Sequence, residues 1–109
     1  MKIAIIGSRG LTIEDLCEYI PKGVTEIVSG GAAGVDACAK KYALEKGISY
    51  TEFLPEYEKY KKGAPLKRNL QIIDYADAVI AFWDGKSRGT KFVIDKCKEK
   101  NKDIKVIIL

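Results

Sequence analysis

Three short stretches set glycine beside hydroxyl, basic or acidic side chains, "GSRG" at 7–10, "SGGAAGVD" at 29–36 and "WDGKSRGT" at 83–90, and a fourth, "APLKRNLQIID" at 64–74, adds basic and amide groups. The first offers Gly7, Ser8 and Arg9. The second offers Ser29, Gly30, Gly31, Gly34 and Asp36. The third carries Asp84, Ser87, Arg88, Gly89 and Thr90, and the fourth carries Arg68 and Asn69. Glycine lets a backbone come close to a ligand, a hydroxyl donates a hydrogen bond, and arginine pairs with phosphate oxygens. The combined chemistry is anion binding. Each stretch also has a plainer reading as a tight turn, a helix cap or a solvated arginine.

Asp36 carries a mixed signal. An acidic residue in a first helical turn complements the helix dipole, yet it repels a phosphate placed directly against it. It suits a ribose hydroxyl better. Asp36 and Asp84 could serve as base, ribose binder or loop cap, and with Arg68 they are the candidates for a catalytic role. The "SGGAAGVD" loop has neither the GxxxxGK[ST] spacing of a P-loop nor GxGxxG, and it follows the second strand rather than the first. Residues 57–68, "YEKYKKGAPLKR", interleave tyrosine with lysine and arginine. That pattern suits contact with nucleic acid, or a lid on which Tyr57 or Tyr60 stacks against a base, or simply a solvated loop. The lid is the favoured reading.

The bulk numbers narrow the choice. At 109 residues the chain is expected to be one domain, 1–109. It is 47% hydrophobic and 31% charged, with a net charge of +4 from 19 basic and 15 acidic residues. That balance fits an anionic small molecule and argues only weakly for nucleic acid. There is no histidine, so Ser-His-Asp and Cys-His mechanisms within the chain are excluded. Cys17, Cys38 and Cys97 are scattered and form no CxxC, so neither a disulfide framework nor a metal site is expected. All three lie in expected helices, where a free cysteine behaves as a small buried apolar residue. The opening apolar run is too short for a signal peptide or a membrane span. Cytoplasmic location and no membrane partner follow as expectations.

These residues need positioning elements. The continuous apolar run at 3–6 reads as a strand buried on both faces, and 25–29, 48–54, 78–83 and 104–109 read as four further strands. Between them, 12–20 reads as a helix capped by Thr12, and 35–46 as a helix ended by Gly47. Pro65 opens a third helix with the apolar stripe Leu66, Leu70 and Ile73, and a lysine-rich fourth runs from about 90 to 100. Residues 55–63 read as a loop or a short irregular helix. Strands alternating with helices imply an α/β fold. The simplest arrangement is a Rossmann-like three-layer sandwich, a five-stranded parallel sheet in the order 3-2-1-4-5 with helices on both faces. Ligands of such sheets bind outside the carboxyl ends of the strands, near the point where strand order reverses. The glycine-bearing stretches all fall at that edge.

Taken together, "GSR", "SGGAAGVDACAKKYA", "RN" and "ADAVIAFWDGKSRGT" resemble the SLOG superfamily, over nearly the whole chain. It unites the Smf/DprA DNA-processing proteins, the Lonely Guy cytokinin-activating enzymes and small YspA-like proteins, and the last branch is the nearest match. The resemblance implies a Rossmann-like fold and a nucleotide or nucleotide-derived ligand, held as by a sensor or carrier. It points to Gly7, Ser8, Arg9, Gly30, Gly31, Gly34, Asp36, Arg68, Asn69, Ser87, Gly89 and Thr90. It implies no further cofactor, and it implies a homodimer. Two alternatives come with it. One is an N-glycosidic hydrolase of nucleoside monophosphates, in which Arg68 matches the Lonely Guy arginine. The stretch "DGKSRGTKFV", however, lacks the PGG of the PGGxGTxxE motif and has Val93 at the glutamate position. The other is a nucleic-acid-binding domain related to the DNA-processing proteins.

Overall fold

In the computed structural model, which describes every residue except Ala32, five strands form one parallel sheet. They are β1 (Lys2–Gly7), β2 (Glu26–Ser29), β3 (Ser49–Glu52), β4 (Ala78–Trp83) and β5 (Asp103–Ile108), in the order β3-β2-β1-β4-β5. The helices are α1 (Val35–Lys46), the single turn α2 (Tyr57–Tyr60), α3 (Ala64–Tyr75) and α4 (Arg88–Glu99). This is the expected α/β architecture and the expected strand order. Among the described residues no helix is long and apolar enough to cross a membrane.

Successive side chains of a strand point to opposite faces, and each face of this sheet has its own core. Ile3, Ile5, Ile27, Ile80 and Phe82 pack with Val35, Ala39 and Ala43 of α1. Ala4, Ile6, Val28, Val79 and Ala81 pack with Ile72 and Ile73 of α3, with Ala76 just after it, and with Val93, Ile94 and Cys97 of α4. The central strands β1 and β4 are thus covered on both sides, which is why they read as unbroken apolar runs. Edge strand β5 alternates instead, with Asp103, Lys105 and Ile108 exposed.

Three local expectations need correction. Residues 12–20 do not form an α-helix capped by Thr12; they hold one 3-10 turn, Leu16–Glu18, preceded by Asp15. Two buried anchors three residues apart, Ile13 and Leu16, meet the core, and Tyr19 sets its ring edge-on to Phe82 at 5.1 Å. One tight turn satisfies that spacing, and so short a segment has little intrinsic helical stability. Cys17 is consequently exposed rather than buried, with its thiol donating to Asp15 Oδ1 at 2.7 Å. In α3 the buried residues are Ala64, Asn69, Ile72 and Ile73, so of the expected stripe Leu66, Leu70 and Ile73 only Ile73 is buried. Leu66 is 43% exposed.

The first connection and the start of α1 meet at Gly34. Its φ is +73° and ψ −123°, a region that side chains with a Cβ rarely enter. A Cβ there would collide with the backbone carbonyl of Arg9. Gly34 is thus where "GSRG" and "SGGAAG" are pressed together. Gly34→Ala should lower stability by about 2–3 kcal/mol, from backbone strain and the forced separation of the two loops. Urea unfolding tests this: the midpoint should fall while the denaturant slope stays unchanged.

Candidate functional site

A cavity of about 400 Å³ opens at the carboxyl edge of the sheet, at the reversal of strand order between β1 and β4. Gly7, Ser8, Arg9 and Gly10 enter it from the end of β1, and Asp36 from the first turn of α1. Pro65, Leu66, Arg68 and Asn69 enter from the first turns of α3. Asp84, Ser87, Gly89, Thr90 and Val93 close it from the end of β4 and the start of α4. All four stretches are therefore represented at the cavity, the second by Asp36 alone.

Ser8 stitches the two central loops. Its N–H donates to the Phe82 carbonyl at 3.1 Å, and its Oγ accepts the Asp84 N–H at 3.3 Å. It is only 2% exposed, so its hydroxyl is largely engaged in structure. Asp84 caps the next turn: Oδ1 accepts the backbone N–H groups of Lys86 and Ser87, both at 2.8 Å. Those two bonds hold its carboxyl below the usual carboxylate range. Trp83 Nε1 donates to the Ser87 carbonyl at 3.0 Å and pins the same turn. Ser87 is the N-cap of α4, with Oγ facing Thr90 N–H at 3.5 Å and Thr90 Oγ1 at 3.3 Å. Ser87, Gly89 and Thr90 thus bring the start of α4 to the cavity wall, and a helix N-terminus favours an anion.

Arg68 does more than face the ligand. Its Nη1 donates to the Gly30 carbonyl at 2.7 Å and its Nε to Asn69 Oδ1 at 2.8 Å. Gly30 has no side chain where the guanidinium lies; a Cβ would strike it. The half-buried guanidinium has its pKa lowered, chiefly by desolvation and also by Arg9, while Asp36 and Tyr57 act in the opposite direction. Asp36 is 5% exposed and acts on both Arg68 and Tyr50. The cavity therefore holds two cations and two carboxylates at close quarters.

Not every expected residue reaches this wall. Among the described residues lining the cavity, Ser29, Gly30, Gly31, Gly34 and Arg88 do not appear. Ser29 is fully buried, its Oγ 2.5 Å from Tyr50 OH. Tyr50 OH donates to Glu52 Oε1 at 3.0 Å, and burial first, with Glu52 adding, pushes the Tyr50 pKa up to about 12. Gly31 lies against Glu52 and Leu54. Arg88 is exposed at the start of α4. Gly10, Pro65 and Leu66 line the cavity although no chemistry in their side chains marked them. Their position at helix starts and loop ends was the available signal.

Residues 1–54 match the family model for DNA recombination-mediator protein A. That stretch runs from β1 through α1 to just past β3, so the similarity covers Gly7 to Arg9, the loop after β2 and Asp36. Arg68, Asn69 and the α4 turn lie beyond it. Comparison with curated proteins and with solved structures gave no match.

The cap geometry of Asp84 carries a pH signature. A carboxyl whose folded pKa is lowered contributes stability that is present above its unfolded pKa and lost as pH falls through the folded value. Wild type should be more stable than Asp84→Asn above pH about 4. The difference should shrink towards zero in more acidic solution. Chemical unfolding of both proteins across that range checks it, and a difference independent of pH would contradict the capping role.

Proposed function

We propose that the protein binds the phosphate end of a nucleotide or nucleotide-derived ligand in this cavity, as a sensor or carrier. The observation that supports the reading best is convergence. Arg9, the half-buried Arg68 and the first turn of α4 all border one cavity at the reversal of strand order. A bound phosphate gains charge-assisted hydrogen bonds from arginine and from free helical N–H groups at once. Asp36 and Asp84 limit how much negative charge the cavity welcomes. That favours a single phosphate with hydroxyls close by over an extended polyphosphate. The likeness to the small YspA-like branch of the SLOG superfamily agrees with this reading.

A second reading has its own support. The match to DNA recombination-mediator protein A over residues 1–54 favours a role in handling nucleic acid. Lys59, Lys61, Lys62 and Lys67 stand exposed beside the cavity-lining start of α3. The hydrolase alternative has less behind it. Val93, at the glutamate position of the related enzymes, is an apolar residue in the cavity wall, only 2% exposed. Valine neither stabilises an oxocarbenium-like centre nor orients a water.

Calorimetry against the four common nucleoside 5′-monophosphates and ADP-ribose tests the first reading. At least one should bind, and Arg68→Ala should weaken it about tenfold or more, as expected for loss of a charge-assisted pair. Arg68 also supports the Gly30 loop, so exposed Arg9→Ala provides a second variant that leaves the fold undisturbed. No binding across the panel, or wild-type affinity in both variants, overturns the reading. Affinity for single-stranded DNA that falls steeply with salt, without nucleotide binding, would establish the second instead.

A further inference from the structure

Asn69 lines the cavity from near the start of α3 and is only 8% exposed. Its two polar atoms have different fates. Arg68 Nε–H can only donate, so the atom it meets at 2.8 Å is the amide oxygen, Oδ1. The other arm of the fork is therefore Nδ2, with two N–H donors. Among the described residues Nδ2 has no hydrogen-bond acceptor. Among the same residues no fully buried side-chain nitrogen or oxygen lacks a partner. Nδ2 is thus reached from outside, and the cavity is the space that Asn69 borders. A polar side chain so deeply buried is completed by whatever enters that space, water or ligand.

The surroundings select the acceptor. Asp36 belongs to the same buried part of the wall, at 5% exposure. A carboxylate there disfavours a phosphate oxygen beside it. A hydroxyl suits both neighbours, because it accepts from an amide N–H and donates to a carboxylate. Arg9 and Gly89 border the cavity from exposed positions, which puts the phosphate towards the outside.

We infer that the Asn69 amide donates to a sugar hydroxyl of the ligand, so that the cavity takes a phosphate ester of ribose in preference to its deoxy form. This rests on the phosphate-binding reading above. Arg68 then has a second task as a positioning residue: through Nε it occupies Oδ1 and leaves Nδ2 for the ligand. The base plays no part in this contact, so the preference belongs to the sugar whichever base the nucleotide carries.

The test takes the nucleoside 5′-monophosphate that binds most tightly in the calorimetric panel, with its 2′-deoxy and 3′-deoxy forms. Wild type should bind at least one deoxy form about three- to tenfold more weakly, as expected for loss of one hydrogen bond between neutral groups. Asn69→Ala should bind the parent nucleotide more weakly and no longer distinguish it from that deoxy form. Loss of support for Arg68 would weaken both ligands alike and leave their ratio unchanged, so the ratio reports the hydroxyl contact. A second readout needs no variant. Asn69, Gln71 and Asn101 carry the only side-chain amides in the sequence, which makes the Asn69 signals assignable in a nitrogen–proton correlation spectrum. They should move when the ribonucleotide is added and move less with the deoxy form. Equal affinity of wild type for all three ligands overturns the inference. So does a preference that Asn69→Ala keeps, or an Asn69 amide that responds alike to both sugars, and each of these leaves the phosphate reading intact. Binding of no nucleotide removes the phosphate reading and the hydroxyl contact with it.

Discussion

A half-buried guanidinium holds the carboxyl edge together. Arg68 stands on α3, which covers one face of the sheet, and donates to the carbonyl of Gly30, which leads into α1 on the other face. The bond crosses the top of the sheet. Desolvation makes an arginine there unfavourable unless its donors find partners, and Asn69 and Gly30 provide them. Three sequence features depend on one another as a result. The arginine needs an acceptor beside it, a backbone carbonyl opposite it, and no side chain where it lies. "RN" and "SGG" supply these from positions nearly forty residues apart.

Around that bond the polar groups divide into those already occupied and those facing open space. Ser8 Oγ accepts from the Asp84 N–H, and the Asp84 carboxylate accepts from Lys86 and Ser87 in its own turn. They set the spacing between β1 and β4 and act on a ligand mainly through the backbone they hold. Ser29 is committed to Tyr50 in the interior. Arg9 and the α4 turn border the cavity, and Leu66 adds an apolar edge to it. A net charge of +4 spread over 109 residues matters less than where these few groups converge.

The fold was largely legible because both faces of the central strands are buried, which writes unbroken apolar runs into the chain. Turn chemistry marked the boundaries: Gly47 takes the left-handed conformation after α1, and Ser87 caps α4. Reading failed where tertiary contacts overrode local preference. Residues 12–20 have a helical composition, yet Ile13, Leu16 and Tyr19 are held by the core in a path with one 3-10 turn. In α3, Asn69 is buried with its amide oxygen accepting from Arg68 Nε, while Leu66 borders the cavity.

The sequence by itself determined the strand and helix alternation, hence the parallel sheet and its order, and it placed the glycine-bearing loops at one edge. Those follow from periodicity and from the geometry of crossover connections, both local properties of the chain. Only the tertiary structure decided which members of those loops face the cavity. Side-chain direction at a loop is set by partners distant in sequence: Phe82 and Asp84 for Ser8, Tyr50 for Ser29, and Gly30 for Arg68. Hydrogen-bond satisfaction of buried polar groups is a property of the folded ensemble of contacts. It turned a list of plausible anion binders into a smaller set at the wall and a supporting set behind it.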